Sequence, residues 1–238
     1  MLVRVVPYLE ELKSEQVHAR LVVVIDTFRA SSTIITALAS GWKKVWPAHS
    51  LGQAKQLEQK HPLAYTAGER QSIRLSGCAY GNSPLELLSP PSPQAELILT
   101  TSNGTRAFGK CQRAKKTLVA SLLNAPYCAA EIARSREDVT LVCCGVQGEF
   151  ALEDGLAAGC ILHELTHRSS ALSICDLGTA LLESYRSGAD QLPALLARGR
   201  TGQRLEQAGF AEDLIFCSRV GRYEVLPVLD SPSMSIAL

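Results

Sequence analysis

The feature of this sequence that most constrains its fold is the alternation of short apolar runs with segments of helical spacing. Residues 21–25 read LVVVI, a β-branched run typical of a strand that is buried on both faces of a parallel sheet. Similar runs at residues 96–100 and 139–144 are each followed by a helical pattern. Strands that are separated by helices predict an α/β protein with a three-layer α/β/α architecture and mainly parallel sheets.

The remaining segments extend this pattern along the chain. A proline-rich stretch at residues 81–94, GNSPLELLSPPSPQ, is the one obvious linker in the sequence. It predicts an N-terminal α/β half over residues 1–90 and a C-terminal α/β half over residues 91–238, closely packed and able to intertwine. Further strands are predicted at 44–48, 63–66, 117–122, 214–217 and 225–228, and helices at 34–39, 51–60, 105–114, 125–134, 152–167, 173–184, 192–197 and 202–207.

Composition excludes several classes of protein. Of the 238 residues, 46% are hydrophobic and 20% are charged, which is the balance of a globular chain. With 24 Lys and Arg against 23 Asp and Glu, the net charge of +1 argues against broad electrostatic binding to nucleic acid or to an anionic membrane. No apolar stretch approaches a membrane span, and the eight cysteines form no C-x-x-C pair. We therefore expect a cytoplasmic protein with reduced cysteines and with no nucleic-acid or membrane partner.

The loop after LVVVI has the residue types that bind anions. In open α/β sheets, ligands gather in the loops beyond the carboxyl ends of the strands. Arg29 lies in this loop, and its guanidinium can bind a phosphate or sulfonate through two parallel hydrogen bonds. Ser31, Ser32 and Thr33 open the helix that follows, so that their hydroxyls and free backbone N–H groups can face an anion. An ordinary helix cap explains the three hydroxyls equally well.

A second candidate loop follows the strand at residues 96–100 and reads TTSNGTR over residues 100–106. Asn103 and Gly104 predict a turn with a left-handed residue, which lets backbone N–H groups approach a ligand closely. Arg106 adds a guanidinium to the same loop. The alternative is a plain turn that Thr105 caps.

Acidic residues lie in three separate loops. Asp26 ends a strongly apolar strand, where an unpaired carboxylate would be costly, and a metal ion or another cation is therefore expected nearby. Glu69, with Arg70 beside it, follows a predicted strand, and Asp154 lies at the start of a predicted helix. Helix capping is an alternative role for Asp26, and complementing the helix dipole explains Asp154 about as well as metal binding does.

These residues fall within segments that are similar to the 2-phosphosulfolactate phosphatase family, also called ComB. The similarity follows the family's order and extends from about Asp26 to Pro227. The segments read V-I-D-T-F-R-A-S-S-T-I, A-G-E-R, G-N-S-P, L-T-T-S-N-G-T-R-A, F-A-L-E-D-G-L-A-A-G, G-F-A-E-D-L-I-F-C and L-P-V-L.

The resemblance implies a magnesium-dependent hydrolase that removes phosphate from 2-phosphosulfolactate, a step in coenzyme M biosynthesis. It also implies an α/β/α fold with two related halves, assembled as a homodimer. In this interpretation Asp26, Glu69 and Asp154 are the catalytic residues and the Mg²⁺ ligands. The partner is a small anionic phosphomonoester, whose acidic groups suit the arginines of the three loops. The expected substrate-binding residues are Arg29, Ser31, Ser32, Thr33, Arg70, Asn82, Ser83, Thr101, Asn103, Gly104, Thr105 and Arg106.

Other functions stay open at the level of sequence. A non-catalytic anion-binding protein would keep the same loops, although the acidic positions are all present here. Residues 163–167 read HELTH, a literal H-E-x-x-H in which both histidines could bind zinc with Glu164 as the base. The usual extension H-x-x-G-x-x-H does not follow it. An aspartyl-phosphate route through Asp26 lacks the second aspartate of a D-x-D motif, because Phe28 occupies that position.

Overall fold

The computed structural model of the protein describes residues 1–101 and 104–238. These residues form one mixed, mainly parallel sheet of eleven strands with helices on both faces, which confirms the predicted three-layer fold class. The strands are β1 (Leu2–Val6), β2 (Leu21–Ile25), β3 (Lys44–Ala48), β4 (Ala64–Arg70), β5 (Ile73–Arg74), β6 (Glu96–Thr100), β7 (Lys116–Ala120), β8 (Val139–Cys143), β9 (Ser173–Ile174), β10 (Val228–Asp230) and β11 (Ser235–Ala237).

The α-helices lie between these strands and in the C-terminal third of the chain. They are α1 (Ser14–Val17), α2 (Ala30–Ala39), α3 (Leu51–Lys60), α4 (Gly104–Lys110), α5 (Ala125–Ser135), α6 (Leu152–Thr166), α7 (Asp176–Gly188), α8 (Leu192–Ala197), α9 (Arg200–Gln207) and α10 (Ala211–Cys217). Short 3-10 helices lie at Leu9–Glu11, Pro84–Leu87, Leu122–Asn124 and Ala189–Gln191.

The sheet consists of two parallel blocks that an antiparallel hairpin joins. The strand order is β5-β4-β6-β3-β11-β10-β7-β2-β8-β1-β9. One block contains β4, β6 and β3, and the other contains β7, β2, β8, β1 and β9. The hairpin β10–β11 lies between β7 and β3 and is antiparallel to both. Each block includes strands from both sides of residue 90, but the division into two halves at that point stays a prediction.

Strand β2 shows why the sheet needs a helical layer on each face. Val22 and Val24 contribute to one hydrophobic core, together with residues of α2 and α4. Val23 and Ile25 contribute to a second core on the opposite face, where α5, α6 and α7 pack. Because alternate residues of a strand point to opposite faces, the run LVVVI is wholly buried only between two layers of helices. Burial of each such side chain stabilises the fold by about 1.5–3 kcal/mol.

Three of the predicted elements need correction. The strand predicted at residues 214–217 is wrong, because these residues form the end of helix α10. A short buried apolar run does not distinguish a strand from a helix, and here Glu212 and Asp213 complement the dipole of the first helical turn. The helix predicted at residues 173–184 divides into strand β9 and helix α7, and the strand predicted at residues 225–228 begins only at Val228.

Within residues 1–101 and 104–238, no helix has the length and the apolar character that crossing a membrane requires.

Candidate active site

A polar cavity lies where loops from both blocks of the sheet meet. Its volume is about 90 Å³. Asp26 follows β2, Glu69 lies near the end of β4, and Thr101 and Gly145 follow β6 and β8. These positions are the carboxyl ends of parallel strands, where ligands bind in sheets of this kind. The lining residues are Asp26, Glu69, Gln71, Ser72, Asn82, Thr101, Gly145, Val146, Gln147 and Arg204.

A larger groove of about 420 Å³ lies elsewhere and is a weaker candidate. It is lined by Leu21, Lys115 and Lys116 among other residues, and therefore lies at the amino ends of β2 and β7. The small cavity is the stronger candidate, because two carboxylates and a guanidinium from three separate segments line it.

The half-buried carboxylate of Asp26 is closely packed. Its Oδ1 accepts a hydrogen bond from the backbone N–H of Ala30 at 3.1 Å. Gly104 packs against its other side, since a Cβ at this glycine would lie only 2.5 Å from Oδ2. Burial, together with the nearby carboxylates of Glu153 and Glu69, raises the pKa of Asp26 to about 7. A cation beside Asp26 would therefore be strongly favourable.

Asp154 is wholly buried and connects two loops of the site. Its Oδ1 accepts a hydrogen bond from the N–H of Thr27 at 2.8 Å, and its Oδ2 accepts one from the N–H of Gly145 at 2.9 Å. Burial, with the charges of Asp26 and Glu153, raises the pKa of Asp154 well above its usual range. Asp154 does not line the cavity. Its position indicates that it holds the loops after β2 and β8 together.

Glu69 and its neighbour Arg70 point to different partners. The Glu69 carboxylate lines the cavity, and its Oε2 accepts a hydrogen bond from the N–H of Ser72 at 2.7 Å. The Arg70 guanidinium donates to the backbone carbonyl of Glu69 at 2.7 Å and to the hydroxyl of Thr100 at 3.4 Å. Arg70 is not a lining residue of the cavity.

The hydroxyls at the start of α2 bond to the backbone. Ser31, Ser32 and Thr33 are buried, and each donates to a carbonyl oxygen, at 3.4, 2.9 and 2.8 Å respectively. The carbonyl that Thr33 contacts belongs to Asn82, so this bond fixes the segment that follows Gly81. None of the three hydroxyl residues lines the cavity. Their substrate-binding role stays a prediction.

Arg29 is engaged in a buried ion pair with Asp213, a residue to which the sequence pattern assigned no role. The Arg29 Nη1 donates to Asp213 Oδ2 at 2.6 Å, and the two side chains are only 3% and 2% exposed. The hydroxyl of Ser83 donates to the other Asp213 oxygen at 2.6 Å. The ring of Phe210 lies 4.4 Å from the guanidinium carbon. This cluster attaches α10 to the loop after β2 and to the segment at Ser83.

Asn82 is the clearest unpaired polar group in the cavity. It is 4% exposed, and its side-chain Oδ1 is buried without a hydrogen-bond partner within residues 1–101 and 104–238. A buried amide oxygen without a partner has lost its hydrogen bonds to water and gained none in return. Such unpaired groups are rare in folded proteins. Asn82 lines the cavity, and a donor or a cation that reached this oxygen from the cavity would satisfy it.

The loop after β6 is only partly described. The hydroxyl of Thr101, which lines the cavity, accepts a hydrogen bond from the N–H of Thr105 at 3.4 Å. Thr105 is buried and donates its own hydroxyl to the Thr101 carbonyl at 3.2 Å. Arg106 is exposed and lies 3.6 Å from a carboxylate oxygen of Glu10. The predicted role of Asn103 falls outside the described residues.

Comparison with known proteins identifies the family. The family model described as 2-phosphosulpholactate phosphatase matches residues 7–232. The chain belongs to this family. A protein of Symbiobacterium thermophilum named "Probable 2-phosphosulfolactate phosphatase" is 36% identical over 217 residues, covering 90% of this chain and 93% of the relative. Proteins of the same name from Caldanaerobacter subterraneus subsp. tengcongensis and Pseudothermotoga lettingae are 36% and 37% identical over 210 and 207 residues, each covering 87% of this chain and 87% and 88% of the relative.

Membership of the 2-phosphosulfolactate phosphatase family confirms the resemblance inferred from the sequence segments and the expected class of enzyme, a phosphoric monoester hydrolase. Of the predicted site residues, the cavity brings together Asp26, Glu69, Asn82 and Thr101. Sequence reasoning assigned no role to Arg204, which also lines the cavity, because α9 carries no local signal beyond amphipathic spacing.

The described residues can be tested for their fit to the Mg²⁺ that the family resemblance implies. In the part of the chain that the structure describes, no three His, Cys, Asp or Glu side chains form a group that could hold a metal ion. Mg²⁺, however, is commonly held by one or two carboxylates, with waters and substrate phosphate as the other ligands. Asp26, Glu69 and the unpaired Oδ1 of Asn82 supply two carboxylates and an amide oxygen in one cavity. The donor set therefore fits.

The H-E-x-x-H segment has a different setting. The rings of His163 and His167 lie edge to face on α6, with centroids 4.7 Å apart. The carboxylate of Glu183 on α7, which could supply a third ligand to these histidines, pairs with Arg186 at 2.7 Å. Over residues 1–101 and 104–238, this segment does not form a three-residue metal group.

Proposed function

We propose that this chain is a Mg²⁺-dependent phosphatase that hydrolyses 2-phosphosulfolactate, or a similar small anionic phosphomonoester, to sulfolactate and phosphate. The observation that carries the proposal is the convergence of Asp26, Glu69 and the unpaired amide oxygen of Asn82 on one small cavity. The names of the relatives supply the substrate, and the cavity supplies side chains of the kind that phosphoryl transfer requires.

Asp26 and Glu69 are the residues that would hold the metal. When bound, Mg²⁺ neutralises charge on the phosphoryl group. The raised pKa of Asp26 supports this assignment, because it reports a carboxylate that is poorly compensated by the protein alone. The Oδ1 of Asn82 can accept a hydrogen bond from a water molecule and so orient that water toward the phosphorus.

Asp154 contributes through the backbone. Its two carboxylate oxygens each accept an N–H, one from Thr27 beside Asp26 and one from Gly145 in the cavity wall. The spacing of these two walls therefore depends on a single buried side chain. We assign Asp154 a positioning role, in place of the metal-ligand role that the sequence suggested.

The test is phosphate release by the purified protein from 2-phosphosulfolactate, with a panel of other phosphomonoesters alongside. Activity should require Mg²⁺ and disappear in EDTA. Asp26→Asn and Glu69→Gln should each lower kcat/KM by at least about 1,000-fold, since each removes a charge beside the reacting group. Glu183→Gln, at an exposed position on α7, is the matched control and should leave the kinetics unchanged.

Two results would contradict the proposal. Equal phosphate release in EDTA and in Mg²⁺ would show that hydrolysis does not require the metal ion. Binding of sulfolactate or phosphosulfolactate with no turnover under any metal condition would favour the non-catalytic anion-binding alternative.

The homodimer and the place in coenzyme M biosynthesis are proposals that rest on the family resemblance, and the cytoplasmic location is a proposal that rests on the pattern of the cysteines. Light scattering coupled to size-exclusion chromatography tests the homodimer directly, because a monomeric mass near 25.6 kDa would contradict it.

A further inference from the structure

Arg204 stands out among the residues that line the cavity. It is half-buried on helix α9, outside the segments that carry the family resemblance. Of the described lining residues, it is the one with a positive charge, opposite the negative charges of Asp26 and Glu69. A ligand with several anionic groups needs more than one cation, and a single metal ion supplies only one of them.

The guanidinium of Arg204 has an unmet hydrogen-bonding requirement. Its Nε is buried and has no hydrogen-bond partner among the residues that the structure describes. Among the described residues, Arg204 makes no close ion pair, although its charge acts on the buried Glu153 and lowers the pKa of that carboxyl against the effect of burial. Buried donors are almost always paired in folded proteins, so that an unpaired one beside a cavity indicates a ligand. Its Nε and one terminal nitrogen form the edge of the guanidinium that binds carboxylates and other oxyanions in a fork.

The arginines that the sequence suggested for this task have other partners. Arg29 is paired with Asp213 in a buried cluster, and Arg70 donates to Glu69 and Thr100. Arg106 is exposed and lies near Glu10. None of these three guanidiniums lines the cavity.

We propose that Arg204 binds one of the two acidic groups of the substrate that are not hydrolysed, the sulfonate or the carboxylate, and so sets the preference of the site for phosphomonoesters that carry a further acidic group. This inference rests on the proposed function for the identity of the substrate. The binding site itself rests on the unpaired Nε and on the position of Arg204 in the cavity wall.

The kinetic test compares Arg204→Met with Arg200→Met. Arg200 lies one turn earlier on α9, where it pairs with Glu149 at the surface. With 2-phosphosulfolactate, Arg204→Met should raise KM by about 10- to 100-fold with a much smaller change in kcat, because the lost contact is made equally in the ground and transition states. Arg200→Met should change KM by less than about 2-fold.

Two truncated substrates identify which acidic group is bound. 2-Phospholactate lacks the sulfonate, and the phosphate ester of 2-hydroxyethanesulfonate lacks the carboxylate. The substrate whose KM is unaffected by Arg204→Met lacks the group that Arg204 binds. Unchanged KM for all three substrates would overturn the proposal, as would a fall in kcat alone.

A binding measurement separates this proposal from the proposed function. Calorimetric titration with sulfolactate needs no turnover, and Arg204→Met should weaken its binding by about 10-fold or more, while Arg200→Met leaves it intact. Weaker binding to Arg204→Met in a protein without phosphatase activity would support the anion site and refute the proposed function. Normal activity of the wild type, with equal sulfolactate affinity in wild type and Arg204→Met, would support the proposed function and refute the anion site. Arg204→Lys, which keeps the charge but not the fork, guards against misfolding and should bind sulfolactate with intermediate affinity.

Discussion

Replacing Asp213 with asparagine is expected to destabilise the protein by about 3–5 kcal/mol. The Asp213 carboxylate lies 2.6 Å from the Arg29 guanidinium, and both side chains are nearly inaccessible to water. An amide at this position keeps the shape but leaves the arginine charge buried without a counter-ion. In a chain of this length, a loss of that size corresponds to a fall in Tm of about 6–20 °C.

The assay is urea unfolding followed by circular dichroism, with Arg29→Met, Asp213→Asn and the double variant compared in a cycle. Removing both charges should cost less than the sum of the single changes, since the remaining group is no longer an isolated buried ion. Glu183→Gln breaks an exposed pair with Arg186 and should cost less than about 0.5 kcal/mol. A cost below about 1 kcal/mol for Asp213→Asn, or strict additivity in the cycle, would refute the reasoning.

Three further predictions follow from packing and burial. In EDTA at about pH 8, Asp26→Asn should raise Tm. The pKa of Asp26 is about 7 in the folded protein and 3.8 ordinarily, so that ionisation of this carboxyl lowers the stability of the fold as the pH rises between these two values. The increase in Tm should therefore vanish in melts below about pH 3. Gly104→Ala should lower the free energy of unfolding in urea by about 1–3 kcal/mol, because the added Cβ would lie 2.5 Å from the Asp26 carboxylate. Gly109→Ala is the control in the same helix: its Cβ meets no described atom within 4 Å, and it should raise the free energy of unfolding by about 0.5–1 kcal/mol. At about pH 8, a thiol reagent should label only the half-buried Cys78 and Cys175 before unfolding and all eight cysteines afterwards, since the other six are buried; labelling of more than two thiols in the native protein would contradict the assigned burial.

The central elements of the fold were predictable because their signals are local. The bounds of β2, β3 and β6 agree with the prediction, since each is a short apolar run that ends at a loop. The hairpin β10–β11 was not predictable. It lies between β7 and β3, two strands far from it in sequence, and pairs with them through only a few residues. Short strands stabilised by such distant partners leave little trace in the local pattern.

The same distinction applies to the cavity. Asp26 was identifiable because a carboxylate directly after a wholly buried strand needs compensation wherever the chain folds. Asp213 was not identifiable, because an acidic residue in the first turn of a helix already has an ordinary explanation in the helix dipole. Its actual partner, Arg29, lies 184 positions away in sequence. Arg204 lies on a helix whose pattern indicates only that one face is solvated.

The acidic residues near the cavity differ in the partners of their carboxylate oxygens, and the roles proposed for them differ accordingly. Both oxygens of Asp154 accept backbone N–H groups, and both oxygens of Asp213 accept side-chain donors. These two carboxylates are therefore committed to the protein. Asp26 and Glu69 also accept backbone N–H groups, but they line the cavity and can reach a bound cation. Asp26 follows β2 in a loop and Asp154 lies in the first turn of α6. It is access to the cavity, and not residue type, that separates the proposed metal ligand from the residue that positions the loops.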